Sequence, residues 1–261
     1  MIDTHSHMYS EQFDEDRDAA LLRAREKGIR YILLPNIDVN SIDALQALAK
    51  YDKACIPMMG LHPCSVASDY EAQLKRMKLE LFETNQPYIA VGEIGIDLYW
   101  DKTYMDQQKY AFRIQLNWAK SLKLPIVIHA RDSMPELLEI IDEENSADLR
   151  GVFHCFSGTK NDAKRIQNYG GFKFGIGGVV TFKNSTLPEV LKEIPLSEIL
   201  LETDAPYLSP VPFRGKRNES AHLSYIAERL SDIYECPIQR IKEVTTSNAE
   251  ALFNISKYLE T

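Results

Sequence analysis

The chain has 261 residues, 44% of them hydrophobic and 26% charged, with a formal net charge of -8. This composition excludes intrinsic disorder and fits a globular protein with a large core. The acidic balance argues against a protein that coats duplex nucleic acid through many Lys and Arg contacts to phosphate. A nuclease survives that argument, because bound divalent cations supply positive charge locally at a scissile phosphate.

No apolar run approaches the roughly 20 residues that span a bilayer. The first residues lack the basic and apolar regions of a signal peptide, so a cytoplasmic protein without a membrane partner is expected. Cys55, Cys64, Cys155 and Cys236 form no close pair, which points to reduced, mostly buried thiols.

Short apolar runs alternate with longer amphipathic stretches along the chain. A strand over residues 1–5 precedes a helix over 14–27, whose Ala19, Leu22 and Ala24 read as one buried face and which Gly28 stops. Strands over 31–34, 56–60, 89–93, 126–129, 152–154, 172–176 and 199–204 follow. The helices between them cover 41–53, 69–85, 104–122, 134–145, 161–169 and 187–194, and two more cover 221–234 and 238–252. No linker, low-complexity tract or shift in composition divides the chain, so one domain over 1–261 is expected. Eight such units predict an α/β fold of the (β/α)8 TIM-barrel type, with its site at the C-terminal ends of the strands. An open doubly wound sheet also alternates β and α, but no glycine-rich fingerprint follows the first strand.

Polar residues that carry chemistry gather where that fold would place a site. His5 and His7 face the same way if Asp3-Thr4-His5-Ser6-His7 is extended, since a strand alternates faces with period two. Glu93, His129, His154 and Asp204 close the fourth, fifth, sixth and eighth strands. Taken singly, each is an ordinary rim histidine or helix cap, as Asp204 before Ala205-Pro206 illustrates. Together, four imidazoles and two carboxylates at one mouth suit two borderline cations such as Zn2+ or Mn2+, with a carboxylate able to bridge them. Such a pair activates water and neutralises a leaving group, which is hydrolase chemistry.

Six motifs resemble those of TatD-family metal-dependent deoxyribonucleases: Asp3-Thr4-His5-Ser6-His7, Gly60-Leu61-His62-Pro63, Gly92-Glu93-Ile94-Gly95-Ile96-Asp97, Ile128-His129-Ala130-Arg131, Phe153-His154-Cys155-Phe156-Ser157-Gly158 and Glu202-Thr203-Asp204-Ala205-Pro206-Tyr207-Leu208. The resemblance extends to Arg214-Gly215-Lys216-Arg217-Asn218 and Thr246-Ser247-Asn248. It implies a TIM-barrel hydrolase with two divalent cations, Mg2+, Mn2+ or Zn2+. His5, His7, Glu93 and Asp204 would surround one, and Glu93 would bridge to a second held by His129 and His154. Asp204 would also take the proton of the attacking water, a role that needs a carboxylate beside the nucleophile.

Further residues carry two readings each. His62 and Arg131 either bind a substrate phosphate or serve locally, as a turn residue before Pro63 and as a partner of an acid such as Asp132. Arg214, Lys216 and Arg217 are either a rim contact to a nucleic-acid backbone or a solvated loop. Tyr99, Trp100 and Tyr104 either stack on bases or, as the stronger expectation, pack under the loop. Cys155 is expected to be buried and to point away from His154. The leading expectation is a phosphodiesterase on DNA that shortens single strands or frayed ends, without an obligate protein partner. The alternatives are an ester or amide hydrolase with the same two metals, such as an aminoacyl-tRNA deacylase, and a binding protein that has lost catalysis.

Overall fold

The computed structural model describes residues 1–260. Eight parallel strands alternate with helices in the expected order. The strands are β1 (Ile2–Asp3), β2 (Tyr31–Leu34), β3 (Cys55–Pro57), β4 (Val91–Asp97), β5 (Ile126–Arg131), β6 (Gly151–Phe153), β7 (Phe172–Ile176) and β8 (Ile199–Leu201). They pair in sequence order within two sheets, β1 to β3 and β4 to β8. Single parallel bridges, Ser6 to Ala205 and Met59 to Val91, join the sheets at both edges. Backbone bonds from Thr4 to Leu201 and from Gly92 to Met59, each 3.0 Å, support those seams. This is the cyclic order of a (β/α)8 fold, with its seams joined by bridges in place of continuous ladders.

The helices are α1 (Arg17–Glu26), α2 (Ile42–Tyr51), α3 (Tyr70–Glu83), α4 (Met105–Leu122), α5 (Met134–Glu144), α6 (Lys160–Asn168), α7 (Leu187–Leu191), α8 (Leu223–Ile233), α9 (Ile238–Phe253) and the short α10 (Ile255–Tyr258). Local chemistry explains their ends. Thr159 and Asp162 form a reciprocal capping box at the start of α6, and Gly28, at φ +78°, follows α1 as the sequence predicts. The buried face of α1 differs from expectation: it is Ala20, Leu21 and Ala24, and Leu22 is exposed.

Strand alternation sorts the core into two layers. Ile32 and Leu34, Ile126 and Ile128, and Ile199 and Leu201 belong to the large cluster that includes the surrounding helices. Their alternates Leu33, Val127, Val152 and Leu200 pack with Ile2, Ile56 and Met58 inside the ring. Leu252 and Phe253 of α9 and Ile255 of α10 join that inner cluster and close the N-terminal end of the strands. Two residues beyond the inner row, on the same inward phase, stand His129, His154 and Glu202. The fold thus places apolar residues low in the ring and titratable ones at its mouth.

Candidate metal centre

Glu93 and His129 lie inside strands, not at their ends. β4 runs on to Asp97, and its register shifts between Val91 and Ile94. Such an irregularity re-aims a side chain, here that of Glu93. Gly95, at φ +147°, passes so close to β5 that a Cβ would sit 2.0 Å from the His129 carbonyl oxygen, so this crossing requires glycine. His5 and His7 follow β1, His154 follows β6, and Asp204 lies three residues beyond β8.

The six expected ligands converge, with Glu93 in the middle. Its Oε2 lies 3.1 Å from His5 Nε2 and 3.8 Å from His7 Nε2. Its Oε1 lies 2.8 Å from His129 Nδ1, 3.3 Å from His62 Nε2 and 3.6 Å from His154 Nε2. Asp204 Oδ1 stands 3.5 Å from His7 Nε2, 3.7 Å from His5 Nε2 and 3.9 Å from His154 Nε2. His62 therefore joins the same cluster, and five of the six histidines of the chain share it.

Outer partners decide which nitrogen of each ring faces the centre. Tyr9 Oη donates to the Pro35 carbonyl at 2.6 Å and so accepts from His7 Nδ1 at 3.0 Å, which leaves the Nε2 lone pair of His7 turned inward. Asp97 Oδ2 lies 2.8 Å from His129 Nε2, leaving Nδ1 toward Glu93. Glu202 Oε1 lies 3.0 Å from His154 Nδ1, leaving Nε2 inward. Gly175 makes room for that carboxylate, since a Cβ there would meet Glu202 Oε2 at 2.2 Å. Tyr9, Asp97 and Glu202 had no role assigned from sequence. The signal for Glu202 was its position two residues before Asp204 and two beyond the inward Leu200.

His5 tests whether these residues fit a metal. It is fully buried; Nδ1 has no partner, and Nε2, 3.1 Å from Glu93 Oε2, lacks hydrogen-bond geometry to it. An unpartnered buried imidazole is unfavourable, and a cation at the lone pair satisfies it. The electrostatics agree. Burial alone would raise the Glu93 carboxyl, but the imidazoles of His62, His5 and His154 and the bond to His129 hold it well below the usual range. Burial also works against ionised Asp204, and the His7 hydrogen bond with His154 and His5 outweighs it. His154 is the exception: burial opposes its protonation, yet Glu202 and Glu93 lift it to about 10, so a cation there must first displace a proton. Ionised carboxylates and inward lone pairs make a donor set suited to divalent cations.

Above the cluster opens a cavity of about 740 Å3, walled by Trp100, Arg131, Val179 and Tyr207. Arg131 pairs with neither Asp132 nor any other acid among the described residues; its guanidinium lies 3.7 Å from the Tyr99 ring centroid and 5.2 Å from that of Trp100. Tyr104 packs on the core as expected, whereas Tyr99 and Trp100 are exposed, against expectation. The expected basic rim does not act as one cluster. Arg217 forks onto Asp16 at 2.6 and 2.8 Å, Arg214 stacks on Phe182 at 3.6 Å, and neither lines the cavity. Of the cysteines, only Cys55 is buried. Cys64 is exposed and Cys155 is half-buried in the cavity wall, because a backbone φ of 46° turns the chain there. Burial and nearby carboxylates push the Cys155 thiol well up, so it remains a poor nucleophile.

A carboxylate ringed by inward-facing imidazoles, at the C-terminal end of a (β/α)8 ring, defines a metal-dependent hydrolase of the TIM-barrel type. The chain belongs to the TatD family: the family described as TatD related DNase matches residues 2–254. The uncharacterized metal-dependent hydrolase YabD of Bacillus subtilis is 38% identical over 258 residues, covering 98% of this chain and 100% of YabD. The crystal structure of YjjV, the TatD homologue of Escherichia coli, superposes with a TM-score of 0.91 at 30% identity, covering 97% of this chain and 98% of YjjV. A TatD-family hydrolase of Entamoeba histolytica shares the fold, with a TM-score of 0.84 at 22% identity and 97% of each chain covered.

Proposed function

We propose that the chain is a phosphodiesterase acting on DNA, shortening single strands or frayed ends with two divalent cations. The observation that carries this reading is the division of Glu93, whose two oxygens face two different imidazole sets. His5, His7, Glu93 and Asp204 would hold one cation; Glu93, His129 and His154 would hold the other, beside His62. When bound, the two supply a water of lowered pKa and neutralise charge on the phosphoryl and leaving oxygens. Asp204, held ionised by the imidazoles around it, is placed to take the proton of that water. Arg131, without a carboxylate partner, presents its guanidinium to a substrate phosphate at the cavity wall. The description of the family as DNase-related supports the choice of DNA.

The test strips the protein with chelator and returns Mg2+, Mn2+ or Zn2+ singly, with labelled single-stranded DNA, a carboxylic ester and an aminoacyl-tRNA as substrates. Metal-dependent cleavage of the DNA is expected. Turnover confined to the ester or the aminoacyl-tRNA refutes the substrate assignment and leaves the centre intact. Metal content near zero after growth in metal-replete medium refutes the centre itself.

A further inference from the structure

Between β4 and α4 the chain exposes two neighbouring aromatic residues, Tyr99 at 51% and Trp100 at 71%. Leaving an indole in water forgoes the free energy its burial would return. The other tryptophan, Trp118, is buried. The exposed pair is held in place. The backbone N–H of Tyr99 donates to Asp97 Oδ1 at 3.0 Å, while Oδ2 of the same carboxylate lies 2.8 Å from His129 Nε2. The Tyr99 and Trp100 rings meet edge to face at 4.8 Å and 87°. Arg131, whose register partner in β4 is Asp97, lays its guanidinium against both rings. One carboxylate thus fixes both a histidine of the centre and the start of the aromatic pair, and Trp100 and Arg131 share the cavity with Glu93.

We propose that Trp100, backed by Tyr99 and Arg131, is a stacking platform for a nucleobase adjoining the scissile phosphate. The platform rests on the phosphodiesterase reading and adds its selectivity. Every base offers a π face, so the contact is tolerant of sequence. In a duplex the neighbouring bases cover that face, so Trp100 favours single strands and frayed ends. Arg131 lies against both rings and lines the same cavity as Glu93, where one cation serves both the aromatic face and the phosphate.

Because Trp118 is buried, the fluorescence of Trp100 reports the contact directly. The Mg2+-loaded full chain is titrated with a phosphorothioate-linked oligothymidylate, and with a hairpin duplex. Quenching by the single strand, weaker quenching by the hairpin, and loss of the signal change in Trp100→Ala are expected. On single-stranded DNA, Trp100→Ala lowers kcat/KM by about 5- to 150-fold. Trp100→Phe restores most of that loss, and metal content is unchanged in both. Tyr51→Ala, which removes a 70% exposed ring at the end of α2, matches wild type. If wild type cleaves single strands but the oligonucleotide leaves fluorescence unchanged, or Trp100→Ala cleaves within about twofold of wild type, the platform is wrong and the phosphodiesterase reading stands. If wild type cleaves no single strand with any of the three metals, both fall.

Discussion

Glu202→Gln separates proton affinity from metal affinity at His154. Glu202 Oε1 sits 3.0 Å from His154 Nδ1 and is the leading cause that lifts this imidazole, against its burial, to about 10. At pH 7 a cation must displace a proton held about a thousandfold too tightly, which costs about 4 kcal/mol. The same carboxylate orients the ring and strengthens Nε2 as a ligand, and outer partners of this kind are worth about 10- to 100-fold in metal affinity. The variant relieves part of the first effect, since Glu93 and Asp204 still raise the imidazole, and loses the second, so near neutrality the two act in opposite directions. Above about pH 10, where little proton remains to be displaced, only the loss is felt. Competition with a chromophoric chelator measures the Zn2+ affinity of both proteins as pH rises. Wild-type affinity should climb about tenfold or more per pH unit above neutrality, with the variant climbing less steeply and falling about 10- to 100-fold behind at the alkaline end. A uniform deficit at every pH refutes the proton competition. No deficit at any pH refutes the orienting role of Glu202.

Glu93→Ala should reduce turnover at least about a thousandfold and lower bound metal, while leaving far-ultraviolet circular dichroism unchanged; near-wild-type turnover refutes the bridge. Asp3 is fully buried, and burial, opposed by bonds from Thr203 and Ser220, raises its carboxyl to about 7. Both folded and unfolded forms are protonated below about pH 4, and only the unfolded form ionises between about 4 and 7. Metal-free protein therefore loses about 4 kcal/mol of stability as pH rises through that window. Denaturant titration of Asp3→Asn should lack this slope, and identical slopes in the two proteins refute the assignment. Arg131→Ala should weaken binding of single strands without destabilising the fold, whereas Arg217→Ala, which breaks the partly exposed fork onto Asp16, should cost about 1 kcal/mol of stability and leave binding unchanged. Exchange of the two phenotypes contradicts the placement of both residues. With one or two phosphate contacts, the log-log salt dependence of single-strand affinity should have a slope of about -0.7 to -1.4; a slope steeper than about -3 points to a basic surface elsewhere.

Period-two alternation made the strands and their order legible, and the same rule carried His129 and His154 from sequence to site. It failed where the backbone departs from a regular strand. The register shift in β4 hid the strand's continuation to Asp97, past Glu93, where the sequence pattern ends the fourth strand. In α1 the run Ala19-Ala20-Leu21-Leu22 offers two apolar stripes of equal quality, and only packing selects the one with Ala20 and Leu21. Tyr99 and Trp100 read as core because their side chains are large and apolar. Their exposure follows from the Asp97 anchor, a contact with no sequence pattern of its own. Glu202 and Asp97 were visible as motif letters, but their role depends on which ring nitrogen they meet, and that is geometry alone.

The net charge of -8 and the proposed polyanionic substrate are reconciled by where the cations sit. Arg23, Arg25, Arg30, Arg113, Arg165 and Arg217 are each paired with an acid at the surface. Arg131 is not, and it stands at the cavity above Glu93. On the proposed reading, a strand would be held chiefly at the mouth, where metal charge, one guanidinium and an aromatic face would act over a few ångströms. Binding built this way would be local, dependent on one phosphate and one base rather than on a tract.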